Sequence, residues 1–134
     1  MKQGGGENLR KARELYEKSL KIAEELYEIE ESGESLRNLM ISYERVGDVF
    51  MKQGGEENLR KACELYEKSL EIAEELFETG ESSESLRDLI VNYNKMGNIC
   101  VEQGGEENLR KACELYEKSL EIEEKLSEIE GDTE

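Results

Sequence analysis

The sequence predicts an all-α fold built as an array of antiparallel helix hairpins, and three observations lead there. The first is self-similarity. At a period of 50, Met1 to Phe50 and Met51 to Cys100 align without a gap, and 33 of the 50 positions are identical. Gln53 to Ile72 then recurs unchanged as Gln103 to Ile122. Repetition at such a period marks a solenoid, in which each unit covers its neighbour's apolar face instead of closing a core of its own. The second is periodicity: apolar residues return at steps of three and four with acids and lysines between them, the pattern of a helix with one wide apolar stripe. The third is punctuation, with paired glycines and short polar segments separating the periodic stretches and no proline anywhere.

Five helices follow, near residues 7–30, 34–53, 57–79, 84–103 and 107–129. The first is preceded by Gly4-Gly5, which is expected to end a helix as Gly54-Gly55 and Gly104-Gly105 do, because paired glycines accept the left-handed backbone that closes a helix. The second runs from Glu34 to the Gln-Gly-Gly turn. The third carries Leu59, Ala62, Cys63, Leu65, Tyr66, Leu70, Ile72, Ala73, Leu76 and Phe77 on its stripe. Its first turn holds Glu56 and Glu57, which favour the positive end of a helix, and Asn58 or the glycine pair marks its start. The fourth has Ser85 as its expected cap, Asp88 three residues on, and Leu86, Leu89, Ile90, Val91, Tyr93, Met96, Gly97, Ile99, Cys100 and Val101 as its apolar set. The fifth repeats the third unchanged through Ile122, after which Glu123 stands for Ala73 and Ser127 for Phe77. That change makes the outer side polar where no later helix needs covering. The whole of 1–134 thus reads as one array: a lone second helix over 1–33, hairpins over 34–83 and 84–130, and a disordered tail over 131–134.

Composition narrows the function classes. Eighteen Lys and Arg against 34 Asp and Glu give a formal net charge of −16, which repels phosphate backbones and anionic lipid, so neither nucleic acid nor a membrane is expected as a partner. Apolar residues form no run long enough to span a bilayer, and the first residues lack the apolar stretch of a signal peptide, so a cytoplasmic protein is expected. With no His, imidazole acid/base chemistry and His-ligated zinc are excluded. Cys63, Cys100 and Cys113, an odd set without CxxC spacing, read as buried packing thiols in a reducing compartment. The acidic clusters Glu24-Glu25, Glu74-Glu75-Glu78 and Glu123-Glu124 read as solvated helix faces with Lys and Arg nearby. The Gln-Gly-Gly-Glu-Glu-Asn segment lacks the Lys and Ser or Thr of a phosphate cradle and reads as a turn. No catalytic residue, cofactor or metal ligand is expected, and the chain is not read as an enzyme.

The residues also resemble a known family. Tyr43, Val46, Gly47 and Phe50 followed by Ala62 and Tyr66, and again Tyr93, Met96, Gly97 and Cys100 followed by Ala112 and Tyr116, are similar to the tetratricopeptide (TPR) repeat signature. The first helix carries the second half alone, as Ala12 and Tyr16. Ser69 and Ser119 stand where that family usually has a further small residue. The 50-residue unit is longer than the family's and lacks its closing proline, which makes it similar to a long-helix bacterial variant. The resemblance implies a right-handed α-solenoid of five helices. Gly47 and Gly97 would approach Ala62 and Ala112, with the tyrosines filling the flanking space.

The same resemblance implies that first helices line a concave groove. Here the groove residues would be Ile41, Glu44, Arg45, Asp48 and Lys52, then Val91, Asn94, Lys95, Asn98 and Glu102. The implied role is a non-catalytic protein-interaction scaffold holding a peptide or helix of a partner, and the negative charge favours a basic or amphipathic one. Two alternatives stand beside it. The first helix lacks a hairpin partner, so the chain could form a homo-oligomer through it, or the chain could be part of a longer solenoid. Copies this alike would also suit a consensus-engineered array with no ligand of its own.

Overall fold

The computed structural model describes residues 2–131. Among the described residues every regular element is a helix: α1 (Lys2–Ile29), α2 (Gly33–Gln53), α3 (Glu56–Thr79), α4 (Ser83–Gln103) and α5 (Glu106–Gly131). All five expected helices are present. Interior positions follow the apolar stripe, and the ends are set by local chemistry.

The helix starts differ from expectation in a way that has a clear cause. Ser82, not Ser85, caps α4: its extended backbone lets the side-chain oxygen accept from the Ser85 N–H, while the Ser85 hydroxyl oxygen accepts from the Ser82 N–H. Ser32 and Ser35 make the same reciprocal box at α2. A box of this kind satisfies two otherwise unpaired N–H groups and is worth about 1 kcal/mol per cap. The turns after α2 and α4 match the expected glycine chemistry, with positive φ at Gly54, Gly55, Gly104 and Gly105. Asn58 does not cap α3; its side-chain N–H reaches back to the Gly54 carbonyl at 2.8 Å, and Asn108 does the same to Gly104.

Gly4 and Gly5 are a correction, because they lie inside α1, which begins at Lys2. Glycine takes helical φ as readily as positive φ, at a cost of about 1 kcal/mol relative to Ala, so a glycine pair permits a turn without forcing one. At the other end α5 continues through Gly131, so that residue is helical and not part of a tail. Residues 132–134 of the expected tail lie outside the described residues.

The chain divides into two compact units, Met1–Ser69 and Leu70–Glu134, and the division falls within the continuous helix α3, not at the repeat edges. In the first unit α2 contacts α1 on one side and the start of α3 on the other. Tyr43 of α2 bonds to Glu24 and Arg13 of α1 bonds to Gln53, while Asp48 and Met40 bond to Tyr66 and Ser69 of α3. In both sets higher numbers on one helix meet lower numbers on the other, so the neighbours run antiparallel. Leu36, Leu39, Met40, Val46, Val49 and Phe50 of α2 are buried with Ala23, Ala62 and Tyr66. In the second unit α4 packs on α5, again antiparallel, with Asn98 bonded to Tyr116 and Arg87 paired with Glu130. Leu86, Leu89, Tyr93, Met96, Ile99 and Cys100 are buried there, together with Ala112.

The close approach at the glycines differs from the expected one. Ala62 and Ala112 are buried. The atoms nearest a Cβ built on Gly47 are nevertheless ring carbons of Tyr66, at 2.8 Å, and on Gly97 they are ring carbons of Tyr116, at 2.5 Å. Glycine is required because an aromatic ring lies over the position a side chain would occupy.

Candidate interaction surface

The residues expected to line a groove fall on α2 (Ile41, Glu44, Arg45, Asp48, Lys52) and on α4 (Val91, Asn94, Lys95, Asn98, Glu102), in different units. Arg45, Lys52, Val91, Asn98 and Glu102 are exposed, and Ile41, Glu44, Asp48, Asn94 and Lys95 are half-buried. Asp48 and Asn98 each have an internal task. The Tyr66 hydroxyl donates to Asp48 Oδ1 at 2.5 Å, and the Tyr116 hydroxyl donates to Asn98 Oδ1 at 2.5 Å. The change from Asp48 to Asn98 between copies therefore keeps an acceptor for a tyrosine. Any ligand reaching either residue would compete with that bond.

These bonds belong to a regular series. Tyr43 donates to Glu24 on α1 at 3.3 Å and Tyr93 donates to Glu74 on α3 at 3.1 Å. The Lys68 ammonium lies 5.4 Å above the Tyr43 ring and the Lys118 ammonium 5.6 Å above that of Tyr93. Phe50 has two cations over its ring, Arg13 at 5.1 Å and Lys61 at 5.5 Å. Each such contact contributes on the order of 0.5–1 kcal/mol at a partly exposed site. The lysines thus cover aromatic rings as well as balancing charge. Burial, with the adjacent Glu74 carboxylate second, pushes Tyr93 up to about 12. Burial and Asp48 raise Tyr66 further, and burial with Glu24 raises Tyr43.

An open apolar surface lies on α1. Leu15, Ile22, Leu26 and Ile29 are exposed, at spacings of seven, four and three that put them on one face. The contrast with α3 is direct: Ile22 is 56% exposed and its counterpart Ile72 is 9%, while Leu26 is 53% and Leu76 is 9%. Beside this face a cleft of ≈ 310 Å³ opens between α1 and α2, lined by Ser19, Ile22, Ala23, Leu26, Ser35, Asn38, Ile41, Ser42 and Arg45. The structure therefore brings Ile41 and Arg45 of the expected set to this cleft of mixed polar and apolar lining, and places Glu44, Asp48 and Lys52 outside it. Sequence reasoning singles out the unpartnered first helix but not these side chains, although Leu15, Ile22 and Leu26 recur as Leu65, Ile72 and Leu76.

In the second unit a cleft of ≈ 450 Å³ is lined by Glu74, Phe77, Glu78, Leu86, Leu89, Tyr93, Ile122 and Lys125. Lys125 partly closes it, lying 5.7 Å over Phe77 and 2.9 Å from Glu81. The cysteines correct the expectation of three buried thiols. Cys100 is buried, Cys63 is half-buried and Cys113 is exposed. Glu123 and Ser127 are exposed on α5, in keeping with their polar replacement. Among the described residues no helix is long and apolar enough to cross a membrane, and no three His, Cys, Asp or Glu side chains converge as a metal site requires.

No protein-family model matches the sequence, and no curated protein is significantly similar to it. Among solved structures the chain is similar to one named DHF58 filament, at 22% identity and a TM-score of 0.59 over 92% of this chain. It spans 61% of that chain's length. The likeness shows a shared helical fold.

Proposed function

We propose that this chain is a non-catalytic interaction scaffold of the tetratricopeptide-like kind, a right-handed solenoid of hairpins that binds a peptide or helix of another protein. The observation that carries this reading is the open aliphatic face of α1 beside the α1–α2 cleft. Exposed apolar side chains aligned on one helix are costly in water, at about 25 cal/mol for each Å² left uncovered, and a contiguous set of them marks an interaction site. The site is amphipathic, since Ser19, Ser35, Asn38, Ser42 and Arg45 line it together with Ile22, Ala23, Leu26 and Ile41. A partner with an apolar stripe and basic flanks suits it and suits the net charge of −16. Panning a library of displayed helical peptides tests this. The wild-type chain is expected to enrich a consensus that Ile22→Glu/Leu26→Glu does not. Equal enrichment by both would remove α1 from the site.

Self-association is the second reading, favoured by the same uncovered helix and by the likeness to a structure whose name is that of a filament. Light scattering decides it. Mass that grows with concentration in the wild type, and not in Ile22→Glu/Leu26→Glu, would support a chain that pairs with its own copies. A strict monomer at high concentration would end that reading.

A further inference from the structure

We infer that the open face of α1 is a seat for one further helix. The occupant is an amphipathic segment of a partner protein that carries a glycine followed by Asp or Asn, with an aromatic residue four positions before the glycine. The inference rests on the reading of the chain as an interaction scaffold and adds to it the register of what is bound.

The chain contains its own template for such a complex. Residues 8–26 repeat residues 58–76 except that Arg13 stands for Cys63 and Lys21 for Glu71. On α3 this face is occupied by α2. Tyr66 is 2% exposed, its ring lies over Gly47, and its hydroxyl donates to Asp48. Ser69 is fully buried and donates to the Met40 carbonyl at 3.2 Å. On α5 the same face is occupied by α4, with Tyr116 over Gly97 and bonded to Asn98, and with Ser119 buried. On α1 Tyr16 is 36% exposed, and Ser19 is exposed and lines the cleft. One surface has thus been met twice by a helix of one pattern, and the third instance of that surface lies open.

The template also gives the occupant's details. Lys61 and Lys68 lie over Phe50 and Tyr43, three residues after and four before Gly47. Their counterparts on α1 are Lys11 and Lys18, so aromatic residues at those two positions of the incoming helix gain the same cover. An Asp or Asn after the glycine accepts from the Tyr16 hydroxyl. Glycine is favoured there, because a Cβ would meet the tyrosine ring as it would at Gly47 and Gly97. A second copy of the chain does not have this helix to spare: its two glycine-bearing helices, α2 and α4, are seated on its own α3 and α5. We assign the occupant to another protein, one whose helix carries the same pattern.

The probe is a labelled synthetic peptide of residues 33–53, titrated into the full chain and read by fluorescence anisotropy. Saturable 1:1 binding is expected, weakened at least tenfold by Tyr16→Ala in the protein, with circular dichroism showing its helicity kept. The peptide variant Gly47→Leu is expected to lose at least as much. That substitution leaves the protein untouched and raises the peptide's helix propensity, so a loss of binding reports the clash with the ring. Absence of saturable binding up to about 1 mM, a standard free energy near −4 kcal/mol, would overturn the inference. Binding indifferent to both substitutions would overturn it too, since the peptide would then be held elsewhere. In either case the broader scaffold reading is judged separately, by the response of the displayed library to Ile22→Glu/Leu26→Glu.

Discussion

Gly97 lies beneath the ring of Tyr116, with a Cβ built on the glycine falling 2.5 Å from Cε1. The corresponding distance between Gly47 and Tyr66 is 2.8 Å. Alanine at either position would gain up to about 1 kcal/mol of helix propensity and lose about 1–3 kcal/mol to overpacking. Both Gly97→Ala and Gly47→Ala are expected to lower the urea midpoint. The tyrosines resist differently: Tyr66 is buried, whereas Tyr116 is only half-buried and has more room to swing aside. The loss should therefore be the larger at Gly47, although its contact is the less severe. A midpoint raised by both substitutions would show that the rings do not press on the glycines.

The capping boxes predict a sharp positional contrast. Ser82→Ala removes the side chain that accepts from the Ser85 N–H, and it should destabilise by about 1 kcal/mol. Ser83→Ala, one residue into α4, should change stability by less than about 0.5 kcal/mol. Equal effects in chemical denaturation would mean that the cap assignment is misplaced.

Alkaline stability follows from the tyrosines. The protonated forms of Tyr43, Tyr66 and Tyr93 are favoured in the fold, by burial first and by Glu24, Asp48 and Glu74 next. A raised folded-state value means that this stabilisation is complete below pH 10 and is lost as pH rises from 10 through about 12, where Tyr93 ionises. The urea midpoint should fall across that window. Lysine neutralisation contributes there as well, so the decisive comparison is Tyr93→Phe, which should flatten the fall. An unchanged slope in that variant would remove Tyr93 as a cause.

The thiols should separate by exposure. With a thiol-specific reagent on the native chain and mass spectrometry as the readout, Cys113 should react first, Cys63 more slowly, and Cys100 only upon unfolding. Rapid labelling of Cys100 would show that the second unit opens readily.

Helix number, helix order and the apolar stripes are legible in the sequence because period and spacing depend only on which residues face a neighbour. The turns at Gly54 and Gly104 are legible for the same local reason. Three features are not. Ser32 and Ser82 act as caps through a reciprocal bond to a second serine, and the sequence offers two serines three apart with no sign of which one ends in extended backbone. Gly4 and Gly5 carry the same letters as Gly54 and Gly55, so nothing local marks them as helical. Asp48 and Asn98 sit on a face that the family resemblance assigns to a ligand, and only the placed tyrosines reveal their internal bonds. The open face of α1 is half-legible: identical letters on α1 and α3 say that both can be covered, and the difference in burial says which one is.

That difference in burial can be measured directly. A soluble nitroxide added to the protein, with the tyrosine ring resonances followed by NMR, reports how close solvent comes to each ring. Tyr16 should broaden strongly and Tyr66 little, with Tyr116 between them. A Tyr16 ring as protected as that of Tyr66 would mean that the α1 face is already covered, and the proposed seat for a partner helix would not exist.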